Sequence, residues 1–297
     1  MSMLISGLNS YLGRRAASNL ASDEFQVFGL IRDVKLFEAT GFEPVTANLL
    51  SVDLLRKEHA YMDCAVNDFE VGICFAPSTN LDDQVSLQVE LTRIKNFITL
   101  LQTNKCNRVI YFARLVDQNY IRYIQQLFIE YAIDYTIVIA NIALGKHSLA
   151  DRYFRQLMSE KYVWYDEAMA NVEFRPIAAL DVLRWIRSIS WKTEFINQIL
   201  ELGGVQKMSV KELFRLYKSL NKVNNVASLC LTFYTTCFFS VKENYIKRIT
   251  SKSNECFVMN ILLIIQLGPN VFPFPSHQSK KSYCMTSKSP KTLIGIF

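Results

Sequence analysis

Histidine is scarce: His59, His147 and His277 are the only three in 297 residues, and they lie too far apart along the chain to suggest a metal site. The cysteines number seven, an odd count, and no two stand at the C-x-x-C spacing of a zinc or redox centre. Cys74 lies inside an apolar run, so the thiols read as the reduced cysteines of a cytosolic protein. The amino terminus has no basic stretch, no apolar segment of signal length and no small-residue cleavage site; Met1 leads straight into Met3-Leu4-Ile5-Ser6-Gly7, and nothing there directs export. Long apolar runs are missing too. Val223 to Val241 is free of charge but holds Ser228, Thr232, Thr235, Thr236 and Ser240, and Phe257 to Leu267 is too short to cross a bilayer before Pro269, Pro273 and Pro275, so no membrane span is expected. Positive charge is absent where a nucleic-acid surface would need it. The formal charge of +6 sits in residues 222–297, where eight Lys and one Arg face two Glu, while residues 1–221 carry a net −1.

Half the residues are apolar and 20% are charged, a balance that buries a core and excludes disorder throughout. Short runs rich in Val, Ile and Phe alternate with segments of helical period, the pattern of a parallel sheet with helices on both faces. Strands are expected at Met3 to Ser6, Phe25 to Ile31, Pro44 to Ala47, Val71 to Ala76, Arg108 to Ala113 and Tyr135 to Ala140. Between the later ones, Leu87, Leu91, Ile94, Ile98 and Leu101 form one helical stripe, and Ile121, Ile124, Phe128 and Tyr131 a second. The fold class is therefore α/β, a doubly wound parallel sheet of Rossmann type with a small C-terminal subdomain. Residues 1–145 form the core of this scheme. Residues 146–221 form the subdomain, expected to close one side of a cleft with helices at Leu149 to Lys161 and Leu180 to Ser190, a strand at Ile199 to Leu202, and a helix opened by the capping-box spacing Ser209 to Glu212. Residues 222–297 are a basic, partly apolar tail without an assigned role.

The stretch most informative about chemistry joins the first strand to the first helix: Leu4-Ile-Ser-Gly-Leu-Asn-Ser-Tyr-Leu-Gly13. A dinucleotide pyrophosphate binds at such a junction because glycine permits the tight turn and the helix N-terminus offers N–H groups and a positive dipole end. Gly7 and Gly13 fit the outer positions of a G-x-x-G-x-x-G loop, and Ser10 takes the middle one. A right-handed backbone at Ser10 accommodates that change and leaves its hydroxyl able to donate to a phosphate; the alternative is a strand-to-helix turn without a ligand. The second strand ends Leu30-Ile31-Arg32-Asp33. At that place an acidic residue accepts from a free ribose 2′-hydroxyl and an arginine pairs with a 2′-phosphate, so Arg32 points to NADP over NAD; the alternative is a surface arginine at a strand end.

These segments, together with Ala47-Asn48-Leu49, the Arg108-Val-Ile-Tyr-Phe strand, Asp134-Tyr-Thr-Ile-Val-Ile, Ile142-Ala-Leu-Gly145, Arg175-Pro-Ile-Ala-Ala-Leu-Asp-Val182 and Leu202-Gly-Gly204, follow the order found in atypical extended short-chain dehydrogenases/reductases. Residues 3–221 resemble the NmrA-like and complex-I-subunit-like NAD(P)-binding branch of that family. The resemblance implies that Gly7, Asn9, Ser10, Tyr11, Leu12 and Gly13 border the pyrophosphate and that Arg32 meets the 2′-phosphate. It further implies that Asn48 and Leu49 edge the adenine, with Asn48 in place of the usual aspartate, and that Ala76 and Pro77 lie beside the ribose.

Reductases of the superfamily use a serine, a tyrosine and a lysine four residues after it. Here the serine position is Ala113, and Asp117-Gln-Asn-Tyr-Ile-Arg-Tyr-Ile-Gln-Gln126 offers Tyr120 and Tyr123 with no lysine at the required spacing. Gly145-Lys-His-Ser148 follows a strand on the side where open sheets hold ligands, yet a Ser-capped helix start accounts for it equally well; Asp181 likewise fits either a cleft or the first turn of a helix. The expectation is an NAD(P)-binding regulator or sensor in the cytoplasm. Its alternatives are an NADP-dependent oxidoreductase with an unusual proton donor, Tyr120 and Tyr123 being the candidates, and an interaction protein that has lost its cofactor. The partners expected are a dinucleotide, a small-molecule substrate in the cleft and a protein partner through the C-terminal region.

Overall fold

The computed structural model describes residues 1–22, 24–39, 45–56, 68–77, 81, 83–159, 162–166, 170–222, 227–231 and 282–284. In chain order the first elements are β1 (Ser2–Ser6), α1 (Tyr11–Asn19), β2 (Gln26–Ile31), α2 (Val34–Ala39), β3 (Asn48–Ser51), β4 (Val71–Phe75), α3 (Gln84–Thr103), β5 (Arg108–Arg114), α4 (Ile121–Glu130) and β6 (Asp134–Ala140). There follow β7 (Ala143–Leu144), α5 (Leu149–Met158), β8 (Tyr162–Asp166), β9 (Glu173–Phe174), β10 (Ile177–Ala178), α6 (Ala179–Ile189), β11 (Gln198–Gly203), β12 (Met208–Ser209), α7 (Val210–Leu220), β13 (Ala227–Leu231) and β14 (Ser282–Cys284).

The main sheet runs β14-β11-β6-β5-β4-β1-β2-β3, and β11 through β3 are all parallel. This is the doubly wound α/β fold that the strand-helix alternation implies. Strand order reverses at β1: the chain first winds out through β2 and β3, then returns to β1's other side with β4, β5 and β6. Val71 to Phe75 are buried without exception, as a strand covered on both faces requires. The stripe expected on α3 is present, with Leu87, Ile94, Ile98 and Leu101 buried, the last three in one core with side chains of β4 and β5.

One strand stands elsewhere than expected. The third is Asn48–Ser51, not Pro44 to Ala47. Its approach is tied to the end of α1, where the Ala47 N–H bonds the Ala17 carbonyl at 3.1 Å and Thr46 Oγ1 donates to the Ser18 carbonyl at 3.0 Å, so the ladder with β2 begins only at Phe28 and Asn48. Pro44 lies outside the described residues.

The chain divides into two compact units. The first comprises Met1–Ala140, Ala179–Leu202 and Lys280–Tyr283. It takes back α6 and most of β11 after the second unit has begun, because β11 pairs with β6; the core is thus not one continuous segment ending at residue 145. The second unit contains Asn141–Ala178 and the chain from Gly203 on, apart from 280–283. Its core joins α5 to α7, with Phe154 stacked on Phe214 and tilted against Tyr217 at 4.9 Å. α7 opens with the expected capping box: Ser209 Oγ accepts the Glu212 N–H at 3.2 Å and Glu212 accepts the Ser209 N–H at 2.7 Å. Most of residues 222–297, the expected basic tail, lies outside the described residues. Among the described residues no helix is long and apolar enough to cross a membrane, and no group of His, Cys, Asp and Glu is placed to hold a metal ion.

Candidate functional site

Everything singled out for dinucleotide binding belongs to the first unit, most of it at the C-terminal edge of the sheet. Gly7 follows β1 with a φ of +85°, and a Cβ there would stand 2.3 Å from the Phe75 carbonyl oxygen. A side chain is thus excluded twice, by backbone conformation and by space. Gly13 is closed to substitution as well, since its Cβ would meet the Gly7 carbonyl oxygen at 2.3 Å. Ser10 sits at φ −76° and ψ 153°, ordinary extended backbone, which is why the middle position of the loop tolerates a side chain. Its hydroxyl donates to the Gly7 carbonyl at 2.8 Å and accepts the Gly13 N–H at 3.1 Å. The hydroxyl is engaged within the turn, and Ser10 is the N-cap of α1. No acidic residue stands in the first turn of α1, so no carboxylate of the helix itself neutralises the positive end of its dipole.

Arg32 follows β2 at the same edge and is exposed, its backbone carbonyl accepting from Ser51 Oγ at 3.1 Å. The neighbouring Asp33 is committed to its own helix, where Oδ1 accepts the Leu36 N–H at 2.9 Å. Ala76 and Pro77 follow β4, and the Ala76 N–H bonds the Phe112 carbonyl at 2.9 Å. Asn9 is exposed on the turn, with Tyr11 and Leu12 half-buried after it.

Asn48 and Leu49 are not at this edge. Their partners across the ladder are Phe28 and Gly29, three and two positions before the end of β2, so they lie back along the strand. The residues that emerge at the C-terminal edge of β3 are Val52, Asp53 and Leu54. Asp53 turns the chain, accepting the Leu55 N–H at 3.0 Å, and the buried Asn96 of α3 holds the loop by donating to the Leu54 carbonyl at 2.7 Å. Sequence reasoning missed this segment because it set the strand four residues early. The apolar run of Leu49-Leu50 leading to Val52-Asp53 was the available signal.

Ala113 near the end of β5 is buried. The turn that follows is held by an ion pair: Arg114 Nε and Nη2 reach the Asp117 carboxylate at 2.7 and 2.9 Å, and Asp117 Oδ1 accepts the Leu81 N–H at 3.3 Å. Burial raises the Asp117 pKa, and its bonds to Arg114 act against that rise. A single 3₁₀ helix, Leu115–Tyr120, leads directly into α4. Four residues after Tyr120 stands the buried Ile124, and four after Tyr123 the partly buried Leu127, so the positions a lysine would need are part of the core. Tyr120 packs against that core, while Tyr123 is exposed, its hydroxyl accepting from Arg122 Nη2 at 3.0 Å. In the second unit, Gly145 to Ser148 is the start of α5: Ser148 caps it, and the His147 N–H bonds Asp151 at 2.9 Å. Asp181 stands in the first turn of α6 and pairs with Arg184 at 2.9 Å.

No family model matches the sequence, and no curated protein does. Solved structures do. A nucleoside-diphosphate-sugar epimerase from Staphylococcus aureus aligns over 90% of this chain and 89% of its own with a TM-score of 0.60 at 15% identity. The UDP-glucose 4-epimerase of Thermus thermophilus, solved in complex with NAD, covers 77% of this chain and 86% of its own at a TM-score of 0.62 and 10% identity. The dTDP-glucose 4,6-dehydratase of Streptomyces venezuelae, solved with NAD bound, covers 90% and 96% at 0.60 and 11% identity. This chain shares their fold. At such identities the likeness is one of architecture, and function has to be argued from the site.

Proposed function

We propose that the first unit binds an NAD(P) dinucleotide across the C-terminal edge of the sheet, with NADP(H) preferred, and that the protein is a nucleotide-binding sensor or regulator of the NmrA-like kind in the cytosol. The observation that carries the reading is the place of the glycine turn. It joins β1 to α1 where strand order reverses, the crevice in which open α/β sheets hold ligands, and it leads into a helix with no acid in its first turn. The N–H end of α1, with Gly7 and Asn9 beside it, would hold the pyrophosphate. Arg32, the Val52-Asp53-Leu54 segment, Ala76 and Pro77 would hold the adenine and its ribose.

Preference for the 2′-phosphate is supported by Arg32, which presents a guanidinium at the exposed end of β2, while one carboxylate oxygen of its neighbour Asp33 caps α2. Arg32→Ala is expected to weaken NADPH binding by about 1.5–3 kcal/mol, the scale of a charge-assisted hydrogen bond, and to leave NADH binding nearly unchanged. Equal losses for the two cofactors would remove Arg32 from the site.

The sensor reading rests on the ground after β5. In place of a serine, a tyrosine and a lysine stand Ala113, an Arg114–Asp117 ion pair and a core-packed α4, and Tyr123 is engaged at the surface by Arg122. A bound nicotinamide would supply hydride chemistry. Neither tyrosine has the lysine, four residues on, that would make it a proton donor near neutral pH. The protein is expected to bind NADPH without oxidising it in the presence of simple aldehydes, ketones or quinones. Turnover that Tyr120→Phe abolishes would replace the sensor by a reductase.

A further inference from the structure

Helix α3 carries two charges on the face it turns to the sheet. Glu90 falls between Leu87 and Ile94 on the buried stripe, its side chain 2% exposed, and Arg93 beside it is 14% exposed. A buried ion pair of this kind is commonly no more stable than apolar residues of the same size, so its presence asks for another reason. The hydrogen bonds supply one. Arg93 Nε and Nη2 hold the two Glu90 oxygens at 2.7 and 2.5 Å, and Tyr111 Oη of β5 donates to the same carboxylate at 2.9 Å. With the guanidinium so fixed, it also reaches two strand ends: Nη1 bonds Ser6 Oγ at 3.1 Å and Nη2 bonds the Phe75 carbonyl at 3.0 Å.

Those are the strand ends that meet the glycine turn. The β1–β4 ladder closes at Ser6 and Cys74, and beyond it β1 bends away at Gly7. The Phe75 carbonyl then faces the turn, 2.3 Å from where a Gly7 Cβ would stand, and Arg93 gives it a partner. Burial works against the Arg93 charge, but the Glu90 carboxylate beside it offsets that cost and the side chain stays protonated.

We infer that Arg93, anchored by Glu90, is the positioning residue of the dinucleotide turn: it fixes the ends of β1 and β4 and thereby the seat of Gly7 and the N-terminus of α1. The functional half of this inference rests on the dinucleotide reading of the same turn. A lysine cannot replace the arginine, since one ammonium lacks the planar fork that serves Glu90, Ser6 and Phe75 together.

The test uses the full-length chain with Glu90→Leu and Arg93→Met combined, Arg93→Lys alone, and Tyr111→Phe, which leaves both bonds from Arg93 to the strand ends. Three quantities are read: the urea midpoint, hydrogen exchange of the peptide spanning residues 4–14, and NADPH affinity. In the double variant the midpoint is expected to fall, since Tyr111 Oη, Ser6 Oγ and the Phe75 carbonyl lose a buried partner. Exchange of the turn peptide should accelerate about tenfold and the NADPH Kd rise about tenfold, the worth of one charge-assisted hydrogen bond. Arg93→Lys should move both in the same direction, and Tyr111→Phe should leave both within about twofold. Native exchange and native Kd in the double variant would reduce the pair to packing and overturn the inference; should that variant not fold, the same result in Arg93→Lys overturns it. Faster exchange in a protein whose natural form binds no NADPH would sink the dinucleotide reading and leave the positioning role standing.

Discussion

At the scale of single residues, the glycine turn makes unequal demands on its members. Gly7→Ala adds a methyl where φ is +85° and a carbonyl oxygen is 2.3 Å away, so it should lower stability by more than about 1 kcal/mol and abolish nucleotide binding. Ser10 needs no special backbone. Ser10→Ala removes the cap of α1 and should cost about 1 kcal/mol, whereas Ser10→Gly should cost only a few tenths; urea midpoints of the three variants check the ranking. The thiols make a different point. Burial pushes the Cys74 thiol from its ordinary 9.0 up to about 12, and Cys106 is raised from the same cause. The folded state therefore favours the neutral thiol. In the unfolded chain the thiol begins to shed its proton near pH 9, while the folded protein keeps it to about pH 12, so stability falls as pH climbs through that window. Alkylation of the native protein at pH about 8, mapped by mass spectrometry, should leave Cys74 and Cys106 unmodified until urea is added.

Among the elements, periodicity made most of the sheet legible, and its one misplacement has a cause outside any local pattern. Between Pro44 and Ser51 only the short apolar run Leu49-Leu50 hints at which four residues pair with β2; the choice is fixed by Ala47 and Thr46 bonding the end of α1, a tertiary tie. That shift set Asn48 and Leu49 back from the C-terminal edge of the sheet and brought Asp53 to it. The Glu90 and Arg93 charges were hidden for a similar reason. At i,i+3 spacing on a helix they read as a solvated pair, and only the packing of α3 on β4 and β5 shows that they are inside. By contrast, the Ser209–Glu212 capping box is wholly local and forms as its spacing implies. Asn96 is the element-scale counterpart of Arg93, since its amide ties α3 to the loop after β3 through the Leu54 and Arg56 carbonyls. Asn96→Ala leaves those carbonyls without it and is expected to cost about 1–3 kcal/mol by urea unfolding, and to loosen the Asp53 segment enough to weaken NADPH binding.

For the whole molecule, a fold shared with sugar-nucleotide epimerases and dehydratases carries a candidate site in which the glycine turn is built, and β5 is followed by the Arg114–Asp117 ion pair and the core-packed α4. Fold class could be read from the alternation of strands and helices. Within the candidate site, the turn was legible where local chemistry decides it, at Gly7, Ser10 and Gly13. Everything hangs on whether the turn takes a dinucleotide, and isothermal titration of the full-length protein with NADPH, repeated with NADH and with Gly7→Ala, addresses that directly. The account predicts one saturable site per chain, tighter for NADPH than for NADH and lost in Gly7→Ala. At roughly a hundredfold excess of NADPH over its Kd the natural protein should also gain about 2.7 kcal/mol of stability. Absence of saturable binding of either dinucleotide to the folded chain, or binding unchanged by Gly7→Ala in a variant that stays folded, would contradict it.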